Sequence, residues 1–85
     1  MNSLATSRAL LPEITALFGS VRSVSTSRGV HTYWADSVMR DSVVYVVDVR
    51  VDAKLKAEEE QRLVAWLKMR MARQDVLVQV LQTGM

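Results

Sequence analysis

The stretch SVVYVVDVRVD, Ser42 to Asp52, constrains the fold more than any other segment. Val and Tyr at seven of its eleven positions favour a pleated, half-buried strand. Side chains alternate across a strand, so Val43, Tyr45, Val47, Val49 and Val51 share one face. The other face carries Val44 and Val46, then Asp48, Arg50 and Asp52. The first half is apolar on both faces and the second on one only. A strand patterned this way is expected to start central and covered on both sides, then emerge so that one face meets water.

The segment C-terminal to this strand fixes the rest of the layer. Ala53 to Ala72 reads as a helix, with Leu63, Val64, Leu67 and Met71 forming an apolar stripe and Trp66 beside it. Glu58, Glu59 and Glu60 lie at its N-terminal end and Lys68, Arg70 and Arg73 at its C-terminal end, each complementing the helix dipole. Glu58 also precedes Arg62 by one turn. Asp75 is expected to end the helix, and Val76 to Gln82 alternates as a last strand before a Thr-Gly-Met tail. Strand, helix, strand is a crossover whose two strands run parallel in one sheet.

The N-terminal half is weaker in pattern. Residues 3–18 place Leu4, Leu10, Leu11, Ile14, Leu17 and Phe18 at helical spacing, with Ser3 available as a cap and Gly19 as a stop. Pro12 inside a helix removes a hydrogen bond, so the regular helix is expected to begin near Leu11. Ser20 to Gly29 can form a strand with a serine-rich exposed face. Val30 to Trp34 alternates again, with Val30, Thr32 and Trp34 opposite His31 and Tyr33. Ala35 to Asp41 is polar and reads as a loop. The expected fold is α+β: a two-layer sandwich of a three- to four-stranded mixed sheet and two helices, in the order α-β-(β)-β-α-β. The 85 residues form one domain, with residues 1–10 and 83–85 as frayed ends.

Composition narrows the chemistry. There is no cysteine, which removes disulfides, thiolate metal sites and a thiol nucleophile. Net charge is +2, mild for a nucleic-acid binder. No apolar run approaches the roughly 20 residues of a membrane span, and the N-terminus lacks a signal-peptide core, so the expected location is cytoplasmic.

Several segments together have a familiar shape. They are Leu17-Phe18 before a serine-rich strand, the strand 42–52, Glu58–Glu60, Arg62-Leu63, Trp66-Leu67, Arg70 and the valine-rich 76–82. Over residues 11 to 82 the chain resembles the small soluble C-terminal α+β domain of a bacterial hydrophobic-domain membrane-protein family of uncharacterised role. The resemblance implies a sensing or assembly module and no reaction. The cytoplasmic domains of cation-diffusion transporters look similar too, but their metal-binding histidines have no counterpart beside the single His31.

No nucleophile elbow, glycine-rich phosphate loop or paired metal-ligand spacing is present, so neither catalytic nor cofactor nor metal residues are assigned. His31 reads as an exposed strand residue. The Asp48–Arg50–Asp52 row reads as a solvated half-face with cross-strand pairs, since an Arg between two carboxylates opposes a cation. The expected role is a non-catalytic interaction or regulatory module, self-associating or docking on a larger, possibly membrane, protein. Its surface is expected to involve Val44, Val46, Trp66, Met69 and Arg70, or a strand edge at 20–26 or 76–82. Two other readings stand beside it. One is a weak nucleic-acid binder using Arg22, Arg28, Lys68, Arg70 and Arg73, with no direct membrane insertion. The other is a small-ligand binder or enzyme at the polar half of the sheet. Helices over the Tyr45 face leave Val44 and Val46 without cover, which the N-terminal segment or a second subunit would have to supply, so these valines are an argument for a partner.

Overall fold

The computed structural model describes residues 3–82, with the side chains of Ser3 and Leu4, and hence the proposed cap and first apolar position, outside that description along with residues 1, 2 and the 83–85 tail. Five elements run in order: α1 (Ser3–Leu17), β1 (Val21–Ala35), β2 (Val38–Val51), α2 (Ala57–Met71) and β3 (Val76–Gln82). The sheet order is β1-β2-β3, with β1 antiparallel and β3 parallel to β2. This is the expected α+β sandwich with three strands.

Both helices cover one face. Leu10 and Ile14 of α1 and Leu63 and Leu67 of α2 join Tyr45, Val47, Val49, Val51, Val21 and Val76 in a single buried core. Val24, Val78 and Val80 border it from the flanking strands. A bulge between Val21 and Ser23 brings Val21 onto this face. Without that extra residue Val21 would share the serine side. The displaced Arg22 turns outward to Asp52, 2.6 Å away.

Three expectations need correcting. α1 does not begin near Leu11 but runs unbroken from Ser3, with Pro12 inside it and exposed. Burial of Leu10 before the proline and Ile14 after it holds both halves on the sheet, and Ser7 bonds Thr26 of β1 at 2.8 Å. Tertiary packing here outweighs the missing hydrogen bond. The segment 35–41 is no loop either. Residues 21–35 and 38–51 form one long hairpin closed by Asp36 and Ser37, both at positive φ (50° and 65°). That is the two-residue turn whose twist matches paired strands.

α2 is shorter than the pattern suggests, starting at Ala57 rather than Ala53. The backbone N–H of Lys56 donates to the Glu59 carboxylate at 3.1 Å, fixing the start. Ala72, left-handed at φ 55°, ends it, and the N–H of Arg73 returns to the Lys68 carbonyl at 3.2 Å. The helix therefore stops three residues before Asp75.

Candidate functional site

β3 pairs only with Tyr45–Val51, so the hairpin from about Val30 to Val43 extends past both the third strand and the helices. This arm corrects the expected order of cover along β2. The strand's beginning is its bare end: Val43 lies on the core face yet is 60% exposed. On that same face Val30, Trp34 and Met39 are also exposed, Trp34 at 71%. His31 and Tyr33 stack on the opposite face, ring centroids 5.2 Å apart.

The foot of the arm is tied down at Tyr45. Its ring is buried and carries Arg73 on one contact, with the guanidinium carbon 3.7 Å from the ring centroid, and Arg28 at 5.4 Å. Asp75 grips Arg73 through two bonds, 2.5 and 2.8 Å. The bond to Arg73 is the main reason the Asp75 carboxyl sits below its ordinary value. The same bond, more than any other influence, raises Arg73.

The second face of the sheet carries no helix. It bears Ser23, Ser25, Ser27, Gly29, His31 and Tyr33 on β1, Arg40 to Arg50 at alternate positions on β2, and Leu77, Gln79 and Leu81 on β3. Val44 is nonetheless only 8% exposed and stands outside the main core. Val46 beside it is half-buried. Close strand packing explains part of this: a Cβ built on Gly29, opposite Val44, would come 3.0 Å from a Val46 methyl. Asp48 lies between Ser25 and Gln79, and its Oδ1 is shielded from solvent with no hydrogen-bond partner. A shielded carboxylate oxygen with an unfilled acceptor is costly.

The remaining sequence-selected residues are dispersed. Trp66 leans against the core, while Met69 points outward at 72% exposure. Arg70 is bound bidentately to Glu13 of α1 at 2.8–3.0 Å. This bond holds the Glu13 carboxyl below its ordinary value. Of the five basic residues grouped as a nucleic-acid surface, Arg22, Arg70 and Arg73 are each paired to a carboxylate. Arg28 rests at the Tyr45 ring and Lys68 is half-buried on α2. Arg28 and Arg73 meet at that ring, and three of the five carry their charge in ion pairs. No cluster of three or more His, Asp or Glu able to hold a metal occurs among the described residues. No helix there is long and apolar enough to cross a membrane. The arm and Trp34 were missed because the polar residues of 35–41 hid the second strand.

The matched family covers most of this architecture. The chain belongs to the family described as Domain of unknown function (DUF8492), which it matches over residues 6–81. No curated protein matches it. Among solved structures, it is similar to an organic hydroperoxide resistance protein OsmC from Legionella pneumophila, a predicted redox protein and regulator of sulfide bond formation. Identity is 16% and the TM-score 0.41. The match covers 96% of this chain and 65% of that one, so the DUF8492 chain spans under two thirds of the longer protein. The DUF8492 match takes in α1 from its second turn, the whole hairpin, α2 and nearly all of β3.

Proposed function

We propose that this DUF8492 domain is a non-catalytic interaction module that self-associates through the part of its sheet that the helices leave bare. The observation that carries this reading is the mismatch between sheet and cover. Two helices of 15 residues each lie on one face of a hairpin whose arm runs on beyond them. An isolated two-stranded ribbon is marginal in water. This one also displays Val30, Trp34, Met39 and Val43 in a single exposed strip. Such a strip is a liability unless a partner covers it.

The pairing of Arg22, Arg70 and Arg73 to carboxylates favours this reading over nucleic-acid binding. Docking on a larger protein is the same chemistry with a different partner, and the strip and both sheet edges are available to it. Light scattering across a concentration series tests the reading. It predicts a mass that rises with concentration, and weaker association for Trp34→Glu than for Trp66→Glu. A mass constant at that of the single chain in every sample would overturn self-association.

A further inference from the structure

The bare face of the sheet has a charge order that specifies how a second copy meets it. We propose that two copies stack these faces with their β2 strands antiparallel and crossing at Val44, so that Arg40 of each reaches Asp48 of the other. This rests on the reading that the chain self-associates, and it places one contact on the sheet face opposite the Val30, Trp34, Met39 and Val43 strip, so Trp34→Glu should leave this contact in place.

Along β2 the face reads Arg40, Ser42, Val44, Val46, Asp48. Arg40 and Asp48 stand at equal distances from Val44, about 13 Å each way at strand spacing, and the row runs on to Val38 beyond Arg40 and Arg50 beyond Asp48, which the same two-fold sets against each other. A two-fold axis between the faces, running across the strands at Val44, turns this row end for end. Val44 then meets its counterpart, Ser42 meets Val46, and Arg40 meets Asp48 twice. A two-fold contact uses the same patch on both copies, so the patch must complement itself, as this row does. The parallel arrangement fails the same condition, because it sets Arg40 on Arg40 and Asp48 on Asp48.

Three further observations fit. The Asp48 carboxylate is only partly covered on this face, and a guanidinium is the donor that matches a carboxylate. Arg40 is exposed and has no ion-pair partner among the described residues. Gly29 sits opposite Val44 on this face, so β1 adds no side chain at the crossing point. Sheets packed in this way lie about 10 Å apart, a gap that an extended arginine crosses. The molecule is 40 Å long. A strip of that length, two to three strands wide at about 5 Å spacing, offers roughly 400–600 Å², a contact smaller than the ~800 Å² per partner of a standard interface.

Charge reversal tests the register by sedimentation velocity. Arg40→Glu and Asp48→Arg should each weaken association at least tenfold when alone. Mixed in equal amounts they should associate again, since both contacts then join opposite charges. Circular dichroism checks that each variant folds. If Asp48→Arg does not, Arg40→Glu combined with Asp48→Asn should recover part of the association lost in Arg40→Glu. A wild-type dimer that Arg40→Glu leaves unchanged would overturn this register and leave self-association through another surface standing. Absence of recovery in the mixture of folded variants, or in the double variant, would overturn it too. A monomeric wild type would remove both.

Discussion

The guanidinium of Arg73 sits over the ring of Tyr45, 3.7 Å from its centroid, at the point where the hairpin arm leaves the body. Tyr45 is also the residue whose N–H meets the Asp75 carbonyl at 2.8 Å, where β3 begins. One contact thus joins the end of α2, the start of β3 and the root of the arm. A cation over an aromatic face contributes about 0.5–2 kcal/mol, more as it is desolvated. Arg73→Gln should therefore lower the denaturation midpoint. It should also raise amide exchange at residues 28–45 more than at 60–67. Uniform exchange changes across the chain would contradict the pinning role.

The turn of the arm carries strain that can be relieved. Asp36 and Ser37 both adopt positive φ, and neither is glycine. A left-handed conformation costs an L-residue about 1–2 kcal/mol. Ser37→Gly should stabilise the hairpin by roughly 0.5–1 kcal/mol. Hydrogen exchange of the Val30–Val43 ladder reads this directly, with slower exchange expected. Unchanged or faster exchange would argue against the turn.

The Glu13–Arg70 pair links the two helices and gives a pH signature. Glu13 is held below its ordinary value of 4.5, first by its hydrogen bond to Arg70. A depressed carboxylate adds stability above the unfolded value and loses it as pH falls through the folded one. Thermal melts should show wild type above Glu13→Gln at pH 6, converging below pH 4.5. The difference should be small, because both side chains are exposed and solvent screens them. A gap that widens with acid would contradict the assignment.

How much of this was readable in the sequence differs by element. The alternation in 42–52, the stripe of Leu63 and Leu67 and the valines of 76–80 announced β2, α2 and β3, since burial on one face leaves a period. The arm did not announce itself, because neither of its faces is buried by helices. Asp36, Arg40 and Asp41 there look like loop residues, and a turn made of Asp and Ser lacks the usual glycine. Pro12 misled in the opposite sense, for a helix held by Leu10 and Ile14 tolerates it. For the surface, Val44 and Val46 stood out from alternation alone. The pairing of Arg70 to Glu13 depends on how the two helices pack, which no local spacing encodes.

Whether two copies meet at the bare face is decided by isotope-filtered NMR on a mixture of labelled and unlabelled chains. Stacked faces predict intermolecular contacts from the methyl groups of Val44 and Val46 to the same residues of the second copy. Intermolecular contacts confined to Trp66 and Met69, or none at millimolar concentration, would contradict that meeting.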